Sequence, residues 1–177
     1  LVNGRVVTND LVKSRSASQD WMLDVFFQRF SADGQKVGGE VLVNQVTRCN
    51  QRQPAVALLS NNTFVVVWVS ETFVDNFHRN FDFYAGTPLL MAQVDIVARV
   101  FAADGSPLSN EFTVNTLLRP CASPVVSALA DGRFTVAWSQ RDGVRTNGWD
   151  IYARCFSPEG MAEGDAFRVN THTYGDQ

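Results

Sequence analysis

The chain has 177 residues, of which 45% are hydrophobic and 19% charged, and its formal net charge is −3. This balance excludes a disordered chain, and it provides no basic surface for nucleic acid or anionic lipid. No apolar run approaches the roughly 18 residues of a transmembrane helix, so we expect no membrane insertion. Because the composition provides no basic surface, we also expect no nucleic-acid partner. Cys49, Cys121 and Cys155 allow at most one internal disulfide, and three buried thiols are the alternative.

The first elements in the chain form an incomplete repeat. The opening LVNGRVVTND matches the end of a later segment, with Leu1 aligned to Leu59 and Gly4 to Gly132, and it predicts a strand around residues 5–8. In this alignment Asp10 falls where the later copies have Trp. The segment that begins at Asp24, DVFFQRFSADGQKVGGEVLVN, predicts two strands joined by a turn that contains Asp-Gly.

Two further copies follow, each with four strand signals that we call strands A to D. QPAVALLSNNTFVVVWVS from Gln53 predicts strands A and B, and DIVARVFAADGSPLSNEFTVN from Asp95 predicts strands C and D. SPVVSALADGRFTVAWSQ from Ser123 and DIYARCFSPEGMAEGDAFRVN from Asp150 repeat this order. The content of Val, Ile, Phe and Tyr and the period of two are typical of strands.

The three copies of the C and D segment share one register. Over 21 residues they align without a gap, and five positions are identical in all three copies. We therefore expect residues 1–177 to form a single all-β repeat domain. Its units are an incomplete repeat 1 (1–52), repeat 2 (53–122) with an insertion at 72–92, and repeat 3 (123–177).

The repeat resembles tandem repeats of bacterial secreted and surface proteins that look like β-propeller blades. The matching segments are FVVVWVS (64–70), DVFFQRFSADG (24–34), DIYARCF (150–156), EFTVNT (111–116) and THTYGDQ (171–177). The resemblance implies three four-stranded, blade-like repeats that form part of a β-propeller, because three blades are too few to close a ring. A β-trefoil is the alternative, but steps of 58 and 70 residues from Leu1 to Leu59 to Leu129 are long for a trefoil unit.

The insertion at 72–92 is the candidate binding site. It separates Trp68 from Asp95 by 27 positions, whereas Trp138 and Asp150 are 12 positions apart. Insertions into a regular repeat often carry function, and aromatic side chains stack on sugars or anchor a protein partner. Burial of the aromatic residues against the blade edge is the structural alternative. The candidate ligand- or partner-binding residues are Phe77, His78, Arg79, Phe81, Phe83 and Tyr84.

No residue pattern points to catalysis, a metal or a cofactor. The two histidines belong to no HExxH motif, and GxSxG, CxxC and a Gly-rich phosphate loop are absent from the sequence. One Asp per copy (Asp24, Asp95 and Asp150) supplies too few oxygens for calcium, so we expect these carboxylates to accept hydrogen bonds from turn N–H groups. Stacking of Arg99 or Arg154 on Trp68 or Trp138 would likewise be structural.

These observations favour a non-enzymatic structural or adhesive module of a secreted or cell-surface assembly that acts through protein–protein contacts. The alternative is a carbohydrate-binding, lectin-like β-propeller, for which the partner is a glycan. Because repeat 1 lacks its own strand A, its strand B is expected to have an open edge that binds a protein partner or a second copy. We also expect Trp68 and Trp138 to occupy equivalent core positions, and Asn61 to lie at the opposite end of the repeats from Cys49, Cys121 and the insertion.

Overall fold

The computed structural model describes residues 5–14, 21–47, 49–72, 93–141 and 148–177, and side chains from residue 23 onward. This part of the chain is all-β, with eleven strands and no helix. The strands are β1 (Arg5–Ser14), β2 (Trp21–Phe30), β3 (Lys36–Leu42), β4 (Gln51–Leu58), β5 (Phe64–Thr72), β6 (Gln93–Phe101), β7 (Phe112–Thr113), β8 (Cys121–Ala128), β9 (Phe134–Arg141), β10 (Trp149–Phe156) and β11 (Phe167–Arg168).

The strands form three antiparallel sheets, one for each repeat. The first sheet has the order β1-β2-β3, the second β4-β5-β6-β7 and the third β8-β9-β10-β11. Every described strand pairs only with neighbours in its own sheet. Strands A to D are therefore β4 to β7 in the second sheet and β8 to β11 in the third, while the first sheet contains strands B, C and D alone.

A bulge recurs at the Pro of each strand A. The pairing of β4 with β5 shifts between Arg52 and Ala55, and that of β8 with β9 shifts between Ala122 and Val125. The residue before each Pro has a positive φ, 54° at Gln53 and 52° at Ser123. Because Pro has no N–H to donate to a ladder, a bulge is a position at which a strand tolerates it.

The turn between strands C and D has one conformation in all three sheets. The residues three positions apart in each turn are joined by a backbone hydrogen bond, as from Gly160 N to Ser157 O at 2.9 Å. Gly34 and Gly160 have φ values of 81° and 90°, a region that residues with a Cβ rarely adopt. The sequence prediction of a Gly turn is confirmed at these positions.

The sheets stack face to face, and the second sheet lies between the other two. Between the first and second sheets, Phe27 contacts Phe64 and Phe101 with ring centroids 5.2 and 5.1 Å apart. Between the second and third sheets, the core includes Val67 and Trp138. As a result both faces of β5 are buried, and its residues from 64 to 70 are all shielded from solvent.

The two tryptophans occupy equivalent positions, as predicted. Trp68 pairs with Val97 and is 0% exposed, and Trp138 pairs with Tyr152 and is 1% exposed. In the first sheet the corresponding residue is Asn9, which pairs with Phe26. The sequence alignment placed Asp10 there and so indicated a degenerate or differently placed strand; the pairing shows that β1 is displaced by one residue.

Candidate functional site

The predicted binding residues Phe77, His78, Arg79, Phe81, Phe83 and Tyr84 all lie outside the described residues. Their role stays a prediction. The flanking strands show where the insertion starts and ends, since Thr72 pairs with Gln93 at the end of the second sheet where β4 begins.

The two ends of the second sheet carry different connections. Gln51, two residues after Cys49, pairs with Ser70 near the start of the insertion, whereas Leu58 pairs with Phe64 beside the turn that contains Asn61. Cys121 is likewise the first residue of β8 and pairs with Gln140. The predicted separation of Asn61 from the two cysteine segments is therefore confirmed, and the insertion itself remains outside the described residues.

A polar cluster recurs at the start of strand C in every sheet. The Asp carboxylate accepts a hydrogen bond from the side-chain amide of the Asn two residues after strand D, as from Asn115 Nδ2 to Asp95 Oδ1 at 2.8 Å. The Asn Oδ1 in turn accepts from the N–H of the residue after the Asp, 2.8 Å from Ile96 N. The same two contacts join Asp24 to Asn44 and Asp150 to Asn170.

This cluster corrects one prediction. Turn N–H groups were the expected donors to these aspartates, but the donor is an Asn side chain 20 residues away. The Asn amide also donates to a carbonyl two residues further on, for example from Asn115 Nδ2 to Leu117 O at 3.0 Å. Each cluster therefore ties strand C to the connection that leaves strand D, which is a structural role. Within the described residues no group of three His, Cys, Asp or Glu side chains is placed to hold a metal ion.

The third copy of the cluster leaves one oxygen without a hydrogen bond. Asp150 is 0% exposed, its Oδ2 has no hydrogen-bond partner in the described part, and Arg168 Nη1 is 3.8 Å away. In the second sheet Gln93 Nε2 donates to Asp95 Oδ2 at 2.6 Å. Gly148 stands at the position of Gln93 and has no side chain to donate. The third cluster is thus less well satisfied than the second.

A glutamine holds each buried indole by a different route. Trp68 Nε1 donates to Gln51 Oε1 of strand A at 2.9 Å, whereas Trp138 Nε1 donates to Gln140 Oε1 of its own strand at 3.2 Å. Cys121 occupies the strand position of Gln51, because both residues begin strand A and pair with the same position of strand B. The glutamine is therefore the first residue of strand A in the second sheet and belongs to strand B in the third sheet. In both sheets its Oε1 accepts the hydrogen bond of the indole N–H.

Cys121 is not an activated nucleophile. Cys49 and Cys121 are buried, Cys155 is partly buried, and none is in a disulfide. Burial, with a further contribution from the negative charge of Asp95, raises the pKa of Cys121 from 9.0 to about 12. A thiol with this pKa is almost entirely protonated near neutral pH and is a poor nucleophile.

The arginine of strand C links neighbouring sheets. Arg99 Nη1 donates to the carbonyl of Val43 at 2.9 Å, and Arg154 Nη1 donates to the carbonyl of Val114 at 3.2 Å. In both cases the acceptor follows strand D of the preceding sheet. The guanidinium groups lie 5.3 and 5.6 Å from the ring centres of Phe101 and Phe156, so the ring contacts are with phenylalanines and not with the tryptophans considered from the sequence.

No protein-family model matches the chain, and no curated protein matches it significantly. Among the described residues no helix is long and apolar enough to cross a lipid bilayer.

One sheet edge differs from the others. In the second and third sheets strand B pairs on one side with strand A and on the other with strand C. In the first sheet, β1 pairs with β2 and lies at the edge of the described sheet. We call the side of β1 that faces away from β2 the open edge. A ten-residue strand at such an edge presents N–H and C=O groups to which another chain can pair.

Proposed function

We propose that this chain is a non-enzymatic structural or adhesive module of a secreted or cell-surface assembly that acts through protein–protein contacts. The open edge of β1 is the observation that carries this proposal, because it lies where the other two sheets have strand A. The buried polar groups support it, since Asp95, Asn115 and Gln51 bond to other parts of the fold. The assignment to a secreted or surface protein rests on the resemblance of the repeats.

The same proposal includes the architecture, which is that of part of a β-propeller. Each repeat forms its own antiparallel sheet, and consecutive sheets stack face to face, as blades do. The alternative, a β-trefoil, requires strands of different repeats to pair in a shared barrel. Every described strand pairs only within its own sheet, and strand A of the second and third sheets begins two residues before the repeat boundary expected from the sequence, at Gln51 and Cys121. Pairing confined to separate sheets favours blades.

A strand peptide tests whether the open edge takes a partner. A synthetic peptide with the sequence of residues 51–59, which includes strand A of the second sheet, is titrated into the chain and its fluorescence anisotropy is measured. We expect binding and a higher melting temperature, because the peptide completes the first sheet with backbone hydrogen bonds.

The control is the same peptide with N-methyl groups on alternate residues, which removes the donors of the ladder. Binding of the unmodified peptide alone supports edge pairing. If neither peptide binds, or both bind equally, the open edge is not a docking site for a strand and the proposal loses its main support.

The carbohydrate-binding alternative has a separate test on a glycan array. Under our proposal no specific sugar is bound. Specific binding that is lost in Phe81→Ala or Tyr84→Ala, and kept in Phe167→Ala, would favour the lectin-like function instead. Phe167 is a suitable control because it is 52% exposed and lies outside the insertion.

A further inference from the structure

One face of the third sheet is uncovered, although the same face of the second sheet is buried. We call it the outer face; its apolar members include Val125, Ala137, Ile151, Phe167 and Val169, which lie on the opposite side of the sheet from Trp138. Ala153 lies on the same side, between neighbouring strands, and is 4% exposed. Val169 is 52% exposed, whereas Val114, at the same repeat position in the second sheet, is 0% exposed because the third sheet covers it. Val125 is also 60% exposed.

The composition of the outer face is that of a surface that packs rather than one that faces solvent. Its uncharged polar members in the described strands include Ser127, Thr135 and Ser139, which are small. In the described strands of the third sheet, the only charged residue on this side is Arg141, at the last position of β9. A sheet face exposed to water normally carries charged or long polar side chains.

The two interfaces within the chain show what fits such a face. The second sheet is covered by Phe134, Val136 and Trp138 of strand B and by Phe156 of strand C in the next sheet. In addition, Arg154 of the covering sheet donates to the carbonyl of Val114, as Arg99 does to that of Val43 in the other interface. The third carbonyl of this series is that of Val169.

The segment after strand D supports the same interpretation. Asn50 Oδ1 accepts from Leu23 N at 3.3 Å, immediately before β4 begins at Gln51. Asp176 Oδ1 accepts from Trp149 N at 3.1 Å, and Leu23 and Trp149 both directly precede the Asp of strand C. Gln177 therefore corresponds to Gln51. Gln51 is the first residue of strand A in the second sheet, which covers the first sheet.

We propose that the outer face of the third sheet is a docking surface for one further four-stranded sheet of this same repeat. The covering sheet presents a Phe-x-Val-x-Trp strand B and an Arg-x-Phe strand C, and its arginine donates to the carbonyl of Val169. This inference rests on the blade-like stacking proposed above. It concerns a sheet face, and is thus distinct from the pairing of a strand with the open edge of β1.

A chain with a second copy of residues 122–177 appended after Gln177 tests the proposal. The appended copy continues in register, because Gln177 corresponds to Cys121, and its own Cys155 equivalent is replaced by Ser. Cys155 of the original sheet reports coverage, since it pairs with Thr135 on the outer face and is partly buried. Its labelling by iodoacetamide is followed by mass spectrometry.

We expect labelling of Cys155 to slow by at least about tenfold relative to the 177-residue chain, because a thiol between packed sheets reacts only after they separate. The melting temperature rises as well. The matched control is the appended chain with Phe167→Glu in the original third sheet, which restores fast labelling because a charge prevents docking. Phe167→Glu in the 177-residue chain checks that the substitution by itself leaves the fold intact.

Three results would overturn the proposal. The first is an unchanged labelling rate with a folded appended repeat. The second is an appended repeat that stays protease-sensitive, because a repeat with a complementary face to pack on should fold. The third is concentration-dependent protection of Cys155 in the 177-residue chain, which would assign the face to a second copy. The strand-peptide test at β1 is independent of all three, so failure of one proposal is distinguishable from failure of the other.

Discussion

At the scale of single residues, the stability of this fold depends on a few buried side chains that recur in each repeat. The indoles of Trp68 and Trp138 fill equivalent positions and both find an amide acceptor. The Asp and Asn of each repeat form the other recurring element. The sequence marked these residues by their recurrence, but it did not show which of them bind one another.

Replacing Trp138 with Ala tests the importance of the indole. The side chain is 1% exposed and packs in the core between the second and third sheets, so Trp138→Ala should lower the free energy of unfolding by about 3–5 kcal/mol. Urea denaturation measures this change. Tyr174→Ala, at a side chain that is 75% exposed, is the control and should change the value by less than about 0.5 kcal/mol.

The variant Asn115→Ala tests how much the Asp–Asn hydrogen bonds contribute to the free energy of unfolding. Asn115→Ala leaves Asp95 Oδ1 and the N–H of Ile96 buried without their partner, and we expect a loss of about 1–3 kcal/mol in the free energy of unfolding. The exposed Asn110 provides the matched control. If Asn110→Ala proved equally destabilising in the same denaturation experiment, the cluster would have no special structural role.

The raised pKa of Cys121 predicts a loss of stability at high pH. In the unfolded chain the thiol ionises near its ordinary value of 9.0, but in the folded chain it holds its proton to about pH 12. Between these values the folded state binds more protons, so the free energy of unfolding falls as pH rises, by up to about 1.4 kcal/mol per pH unit. Below pH 9 the contribution is fully present. The measurement compares urea denaturation of the wild type and Cys121→Ala from pH 8 to 10.5, and equal slopes would contradict it.

At the scale of secondary-structure elements, the turn of each hairpin requires a glycine with a positive φ, and the packing of neighbouring sheets can limit the space around that glycine as well. Gly34 and Gly160 occupy the same turn position with similar positive φ values. Around Gly34 a Cβ would meet nothing within 4 Å, whereas at Gly160 it would lie 2.7 Å from Cε1 of Phe112 in the second sheet. The sequence indicated the turn at both positions, but only the stacking of the sheets makes one of them crowded.

These two glycines provide a matched pair for mutagenesis. Gly34→Ala should cost about 1–2 kcal/mol, the penalty of a positive φ for a residue with a Cβ. Gly160→Ala carries the same penalty and also displaces Phe112, so it should cost at least about 1 kcal/mol more. Thermal denaturation measures the loss of stability in both variants. Equal losses would show that the second and third sheets do not approach each other as closely as described.

At the scale of the whole molecule, the position of a sheet in the stack decides whether its outward face is buried. Val67 and Ala137 stand at the same repeat position of strand B, opposite Ala98 and Ala153. Val67 is 0% exposed because the third sheet covers it, whereas Ala137 lies on the outer face and is only partly buried. Identical substitutions should therefore have different effects.

We expect Val67→Asp to prevent stable folding, with a loss above about 4 kcal/mol, because it places a charge between two packed sheets. Ala137→Asp in the 177-residue chain should lose less than about 2 kcal/mol, since its carboxylate reaches solvent. Circular dichroism and urea denaturation compare the two variants. A severe effect of Ala137→Asp would mean that the outer face is already covered in the 177-residue chain.

The sequence predicted the all-β class, the order of strands in each repeat and the turns between them. Its departures from the structure share one cause. Asp10 aligned with the Trp position, which Asn9 occupies in the displaced strand, and the aspartates were assigned backbone donors instead of Asn44, Asn115 and Asn170. In each case the outcome depends on which groups meet after the chain has folded, and the sequence signal for that is weak. The candidate residues of the insertion stay a prediction.

The sequence by itself determined what depends on neighbours along the chain: strand periodicity, turn residues such as Gly160, and the recurrence of Trp68 and Trp138. The tertiary structure decided what depends on contacts across sheets, including the bond from Arg154 to the carbonyl of Val114 and the different exposure of Val114 and Val169. The reason is physical. Backbone conformation responds to a residue and its near neighbours, whereas burial is a property of the packed assembly of sheets, in which identical repeat positions have different surroundings.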